Sequence, residues 1–210
     1  MGITSDWTTN VLAPRLEHAL RWAIEICGAG KLLDIGSNDG VFGAAARNAG
    51  FHVVGMDHDP RFERTAGTCV DEFVVGNVEA EWPFGPEEFD CVHMGAVLEQ
   101  VYDYRFVLRE CARVLKPGGA VVVSVPNMAH WKHRVQLLFG RCPEWFSPLQ
   151  FEHIRPWTLT ELQRVLEEAG LVIARRAGRF ERHGRVYDFA ASVAPGLCSI
   201  LMFAAIKNPD

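Results

Sequence analysis

The sequence predicts an α/β fold in which a doubly wound, mainly parallel sheet carries helices on both faces. Two observations support this prediction. Short apolar runs rich in β-branched residues alternate with segments whose apolar residues recur at helical spacing. A glycine-containing turn, Gly36 to Gly40, directly follows the first of these runs. The length of 210 residues favours one domain over 1–210, or one domain with an insertion.

The first half of the chain alternates regularly between predicted helices and strands. Leu12, Leu16, Leu20 and Ile24 predict a leading helix from about Val11 to Cys27. Few residues follow the second strand before the next apolar run, so any helix there is short. The remaining predicted elements are a strand at 31–36, a helix at 39–49 stopped by Gly50, a strand at 51–57 and a strand at about 72–75.

The second half continues the alternation and then departs from it. A strand at 89–94 precedes a helix at 104–115, which Lys116-Pro117-Gly118-Gly119 ends. The continuous β-branched run 120–125 predicts a strand buried on both faces. After an irregular segment, Thr158 and Glu161 form a capping box for a helix that runs to Ala169. Two closing strands are predicted at 171–176 and 198–205.

The first two strands predict a nucleotide-binding half-fold. The turn after Asp34 allows the backbone to approach a ligand closely, and the next strand ends in Asp57. An acid at that position is placed to accept hydrogen bonds from a ribose. The glycine spacing does not match the dinucleotide pattern G-x-G-x-x-G, which disfavours NAD. A purely structural turn is the alternative.

Composition narrows the possible partners and compartment. The net charge of −5 argues against general nucleic-acid binding, because proteins that bind phosphate backbones usually carry an excess of basic residues. No apolar run is long enough to span a membrane, and the N-terminus lacks a signal pattern, so we expect a cytoplasmic protein. None of the six cysteines is spaced C-x-x-C, so we expect free thiols and no metal site.

Five segments together resemble the class I S-adenosylmethionine-dependent methyltransferases, in the order and spacing of that family. A further segment, Phe151 to Thr158, looks like the His-x-Arg-Phe-Phe-Thr element of small-molecule methyltransferases. The five segments are Leu33-Asp34-Ile35-Gly36 with Gly40, Val54-Gly55-Met56-Asp57, Gly76-Asn77-Val78-Glu79, Phe89-Asp90-Cys91-Val92 and Arg113-Val114-Leu115-Lys116-Pro117-Gly118-Gly119.

The resemblance implies a Rossmann-like, seven-stranded sheet with an antiparallel last strand. It also implies S-adenosyl-L-methionine as cofactor and S-adenosyl-L-homocysteine as product. The methionine part would be held by Asp34 and the turn residues, and the ribose by Asp57. Asn77 and Val78 would meet the adenine, and the backbone around Met94 and Gly95 would close over the sulfonium. The implied cofactor set is Asp34, Gly36, Ser37, Asn38, Gly40, Asp57, His58, Asn77, Val78, Met94 and Gly95.

The sequence departs from the family pattern at two positions. Asn38 stands where most members carry glycine, and its side chain points near the methionine end. Asparagine tolerates a left-handed backbone better than most residues, so we expect the turn to survive. Gln100 stands where relatives often place histidine, and we interpret it as an ordinary residue at a helix start.

An inserted cap segment, 127–157, is expected to supply the acceptor contacts because long connections are usually functional. Histidine suits proton removal at neutral pH, which makes His153 the first candidate base and His130 the second. Alternatively, His153 pins the loop through a hydrogen bond. Trp131, Arg155 and Trp157 are candidate substrate contacts, although such aromatic residues also form the core of caps.

These observations favour methyl transfer to a small-molecule or glycoconjugate acceptor, at a hydroxyl rather than at nitrogen or carbon. The alternative is a methyltransferase-like regulatory or assembly partner with weak or no catalysis. Nucleic acid is disfavoured because His93-Met94-Gly95-Ala96 stands where base-amino methyltransferases carry Asn/Asp-Pro-Pro-aromatic. We expect a small-molecule substrate, no membrane span, and a monomer or homodimer.

Overall fold

The computed structural model describes residues 13–143, 153–180, 189 and 191–208. Within them, one seven-stranded sheet has the order β3-β2-β1-β4-β5-β7-β6. The strands are β1 (Gly30–Ile35), β2 (Phe51–Asp57), β3 (Glu72–Val75), β4 (Phe89–Gly95), β5 (Leu115–Pro126), β6 (Leu171–Arg179) and β7 (Ile200–Lys207). The helices are α1 (Pro14–Cys27), α2 (Val41–Asn48), α3 (Glu63–Ala66), α4 (Tyr104–Val114), α5 (Trp131–Leu138) and α6 (Leu159–Glu168).

The strand directions confirm the predicted sheet. The pairs β1–β2, β1–β4, β2–β3 and β4–β5 are parallel, whereas β7 runs antiparallel to both β5 and β6. The carboxyl ends of β1, β2 and β4 therefore open at one edge of the sheet, where ligands of such folds bind.

The sheet separates two apolar layers. Val121 and Val123 of β5 face a large cluster that includes residues of α4 and α6, and all of these side chains are buried. Val122, between them, faces the second cluster, which includes Trp22 of α1 and Phe42 of α2. The alternation follows from the two-residue period of a strand, and it explains why the β5 run is continuously apolar.

Strand β5 begins earlier than predicted. Helix α4 ends at Val114, and Leu115 already pairs with Phe89 of β4. The segment expected to act only as a helix stop is therefore the start of a strand. Gly119 is needed there, because a Cβ would lie 2.9 Å from the Lys116 carbonyl oxygen and 3.0 Å from that of Asp90.

The helix predicted after Thr158 forms and is capped as expected. The Thr158 side chain accepts a hydrogen bond from the Glu161 amide, and its hydroxyl donates to the Glu161 carboxylate at 2.8 Å. The predicted cap segment contains α5, while Trp145, Phe146 and Phe151 lie outside the described residues. Across the described part of the chain, no helix is long and apolar enough to cross a membrane.

Candidate active site

A cleft of about 610 Å³ opens at the carboxyl ends of β1, β2 and β4. Its size lies within the range of small-molecule sites. Seven of the predicted cofactor residues line it: Gly36, Asn38, Asp57, His58, Asn77, Val78 and Gly95. The structure therefore brings together most of the positions that the resemblance selected from distant parts of the chain.

The turn after β1 uses left-handed backbone at three positions. Gly36, Asn38 and Gly40 have φ values of 68°, 50° and 81°. Asn38 thus adopts the conformation that its residue type was expected to tolerate. Gly36 has a second constraint, because a Cβ there would lie 2.7 Å from Val97 Cγ2. At Gly36 the turn therefore presents bare backbone to the cleft.

Asp57 connects the turn to the end of β2. One carboxylate oxygen, Oδ2, accepts a hydrogen bond from the Asn38 amide at 2.9 Å. The other, Oδ1, accepts from the Asp59 amide at 3.0 Å and lies 3.2 Å from His58 Nδ1. A carboxylate oxygen can accept more than one hydrogen bond, so these contacts fix the carboxylate and leave it able to bind hydroxyl groups.

The loop after β3 forms another part of the wall of the cleft and is also held by hydrogen bonds. Asn77 Oδ1 accepts from the Glu79 amide at 2.9 Å, and the Val78 carbonyl accepts from the buried Trp82 indole at 2.9 Å. Glu79 Oε1 in turn accepts from the amides of Tyr102 and Asp103, both at 2.7 Å. The wall is therefore anchored to the segment that follows β4.

The four remaining predicted cofactor residues do not line the cleft. Asp34, Ser37, Gly40 and Met94 are buried beneath or beside it. Asp34 Oδ1 lies 2.7 Å from His93 Nδ1 of β4, while Asp34 Oδ2 and Ser37 Oγ are buried with no hydrogen-bond partner among the described residues. These two oxygens belong to the end of β1 and to the turn that follows it.

A second, smaller cavity of about 170 Å³ adjoins the cleft. The two share Arg15 of α1 and Ala96, so they are neighbours around the end of β4. The rest of the wall is mostly apolar, with Val125, Pro126 and Ile200, and its polar members are Glu99, Ser124 and His153. We call it the acceptor cavity, after the role that we propose for it.

Glu99 is an unusual residue of this cavity. It is 0% exposed, and neither carboxylate oxygen has a hydrogen-bond partner among the described residues. Burial raises the pKa of Glu99 to about 7, and the residue's own backbone amide and the nearby positive charge of Arg15 oppose this shift only in part. Burial also lowers the pKa of Arg15. Two ionisable residues thus border a largely apolar space.

The backbone of Glu99 holds the segment that carries His153. The Glu99 carbonyl accepts hydrogen bonds from the amides of Ile154 and Arg155 at 2.9 and 3.0 Å. The Arg155 guanidinium donates to the carbonyls of Val101, at 3.3 Å, and Tyr102. Arg155, a predicted substrate contact, therefore lies against the backbone and lines neither the cleft nor the acceptor cavity.

Of the five predicted catalytic and substrate residues, the structure brings only His153 to the acceptor cavity. His130 is the N-cap residue of α5, and its pKa is lowered to about 4, first by burial and then by His133 and Lys132. Trp131 is 47% exposed on α5, and Trp157 is 4% exposed in the core, where its ring lies 5.2 Å from that of Tyr104.

Sequence reasoning missed Arg15 and Glu99. Arg15 looked like an ordinary polar residue of an amphipathic helix, and no local pattern distinguishes it. Glu99 carried a signal, because it is an acid at the end of the apolar run Ala96-Val97-Leu98, which directly follows a buried strand. Acids in such a run are seldom fully buried without a partner. In the described part of the chain, no group of three or more His, Cys, Asp or Glu could hold a metal ion.

The family model of the methyltransferase domain matches residues 11–175. The chain therefore belongs to the methyltransferase domain family, which confirms the resemblance to class I S-adenosylmethionine-dependent enzymes seen in the sequence motifs.

Individual relatives agree with this assignment. The chain is 29% identical over 160 residues to a Mycolicibacterium smegmatis protein named "Probable S-adenosylmethionine-dependent methyltransferase", covering 75% of this chain and 58% of the relative. It is 40% identical over 90 residues to the demethylmenaquinone methyltransferase of Listeria welshimeri, covering 39% of this chain and 38% of that protein. The chain thus spans roughly two-fifths to three-fifths of the length of these relatives.

A solved structure has the same fold. The Burkholderia thailandensis 1,6-didemethyltoxoflavin-N1-methyltransferase, with 1,6-didemethyltoxoflavin and S-adenosylhomocysteine bound, superposes with a TM-score of 0.65. The match covers 93% of this chain and 79% of that one at 18% identity, which establishes a common fold.

Proposed function

We propose that this protein binds S-adenosyl-L-methionine in the cleft and transfers its methyl group to a small molecule in the acceptor cavity, at a hydroxyl. The main support for the proposal is that the polar cleft and the mainly apolar acceptor cavity lie next to each other. The cleft is bordered by an acid, an amide and bare turn backbone, which suits a nucleoside with a polar tail. The acceptor cavity is small and mainly apolar, and it shares Arg15 and Ala96 with the cleft.

Different residues of the cleft would contact different parts of the cofactor. Asp57 would accept hydrogen bonds from the ribose hydroxyls, and the loop at Asn77 and Val78 would contact the adenine. The turn at Gly36 and Asn38 would face the methionine part. When bound, the cofactor supplies a methyl group already activated by a positively charged sulfur. The protein's task is then to position the acceptor, exclude water and receive a proton.

The acceptor cavity favours a compact acceptor group. Its volume of about 170 Å³ is much smaller than that of the cleft, and Val125, Pro126 and Ile200 offer apolar contact. His153 and Ser124 can hydrogen-bond a hydroxyl held among these side chains. The name of one relative refers to demethylmenaquinone, and that of one structural neighbour refers to 1,6-didemethyltoxoflavin, which is consistent with a small-molecule acceptor here.

Binding of S-adenosylhomocysteine, measured by calorimetry, tests the cofactor assignment. Asp57→Ala should weaken binding at least tenfold, because charge-assisted hydrogen bonds are worth about 1.5–3 kcal/mol each. Glu63→Ala is the matched control: Glu63 is an exposed carboxylate on the nearby helix α3. NADH should not bind. Equal affinity in wild type and a folded Asp57→Ala variant would refute the assignment.

A methyltransferase-like partner without catalysis is the second candidate, and Asn38 is the observation that favours it. Its side chain stands at the methionine end of a turn where the family mostly has glycine. This candidate requires that the cofactor binds poorly to the wild-type protein. Saturable S-adenosylhomocysteine binding, together with transfer of a labelled methyl group to any member of a panel of phenolic and alcoholic acceptors, would reject it.

A further inference from the structure

Glu99 is the one fully buried carboxylate whose two oxygens both lack a hydrogen-bond partner among the described residues. Burying an unpaired carboxylate costs free energy, which makes such a residue a candidate for a functional role. Its position is specific, because it lines the acceptor cavity beside Ala96, which also borders the cofactor cleft. Its main chain is fixed by the Ile154 and Arg155 amides, so the carboxylate is attached to a rigid support.

We propose that the Glu99 carboxylate is the group that faces the transferring methyl and receives the proton of the acceptor; this inference rests on the proposed function. In the reaction, the acceptor oxygen forms a bond to the methyl carbon, and the methyl–sulfur bond breaks with its electron pair remaining on sulfur. The acceptor O–H proton passes to the Glu99 carboxylate, which becomes a neutral carboxylic acid and later releases the proton to solvent.

The acceptor cavity contains three titratable groups, each from a different part of the chain. Glu99 follows β4, Arg15 comes from α1, and His153 precedes α6. Arg15 is always charged at neutral pH, so it favours the ionised form of Glu99 without taking its proton. His153 is placed to hydrogen-bond the acceptor, which makes it a positioning residue in this scheme. Desolvation keeps the pKa of Glu99 at about 7, which suits a group that must both accept and release a proton.

Sinefungin is a probe that needs no knowledge of the acceptor. In this cofactor analogue, a carbon bearing an amino group replaces the methylsulfonium, so an ammonium group occupies the place of the methyl. S-adenosylhomocysteine has the same adenosine and methionine parts and lacks that group. The ratio of the two affinities therefore reports on the charge that surrounds the methyl position, independently of the rest of the cleft.

Titration calorimetry with both ligands is done on wild type, Glu99→Gln, Glu99→Asp and the charge-matched control Glu17→Gln, since Glu17 is exposed on α1. Glu99→Gln should lower the preference for sinefungin at least about tenfold and leave S-adenosylhomocysteine binding within twofold. Glu99→Asp should restore part of the preference, and Glu17→Gln should match wild type. Wild-type preference for sinefungin should rise between pH 6 and pH 8 as the carboxyl ionises.

Proton release gives a second measurement that does not depend on affinity. At pH 6.5, calorimetry in buffers of different ionisation enthalpy should show that sinefungin expels more protons from wild type than from Glu99→Gln, whereas S-adenosylhomocysteine shows no such difference. An unchanged affinity ratio together with equal proton release would overturn the role of Glu99 alone. Absence of S-adenosylhomocysteine binding to wild type would overturn both this inference and the proposed function. Thermal unfolding confirms that each variant is folded.

Discussion

Replacement of Glu99 by glutamine should change how stability depends on pH. The pKa of Glu99 is raised in the folded protein from 4.5 to about 7. Between these pH values, the folded protein keeps a proton that the unfolded chain has released, so stability falls as pH rises through this window. The full loss is reached above pH 7. A shift of this size corresponds to about 3 kcal/mol, at about 1.4 kcal/mol per pH unit.

Urea unfolding at pH 5 and pH 8 measures this loss. Other groups also titrate in this range, so the informative quantity is the difference in pH dependence between wild type and Glu99→Gln. Wild type should lose up to about 3 kcal/mol more than the variant on going from pH 5 to pH 8. Glu17→Gln should follow wild type. Parallel losses in wild type and Glu99→Gln would show that Glu99 ionises normally and is hydrated, which would refute the reasoning.

Two further substitutions test the cleft and the acceptor cavity. Asn38→Gly should keep or improve affinity for S-adenosylhomocysteine in calorimetry, because glycine adopts the φ of 50° without a side chain near the methionine end. A tenfold loss would instead mean that the Asn38 amide contacts the ligand. His153→Ala should lower turnover far more than cofactor affinity, and by a similar factor across pH in steady-state assays. A loss that shrinks as pH rises would make His153 the base in place of Glu99.

The fold was predictable because each signal is local. A buried strand followed by a glycine turn, a helix stop and a capping box each depend on a few neighbouring residues. The start of β5 was missed because the pairing of Leu115 with Phe89 is a contact between distant segments. A proline–glycine stretch carries no signal for such a contact.

The residues that line the cleft were largely predictable from the sequence, and those of the acceptor cavity much less so. Asp57 ends β2 and Asn77 lies two residues after β3, so the strand order alone brings them to one edge of the sheet. Trp157 and Arg155 have residue types common in binding sites, yet one fills the core and the other binds backbone carbonyls. Glu99 and Arg15 meet only because α1 lies across the end of β4, which is a tertiary arrangement.

The partition of the site into two spaces has a consequence for how its selectivity can evolve or be redesigned. Ser124, Val125, Pro126 and Ile200 border the acceptor cavity and have no place in the cofactor cleft. Under the proposed function, changes at these four positions would alter the choice of acceptor and leave cofactor binding intact. Arg15 and Ala96 border both spaces. A substitution at either position would affect both spaces. Arg15 and Ala96 therefore limit which new acceptors can be accommodated without a loss of cofactor binding.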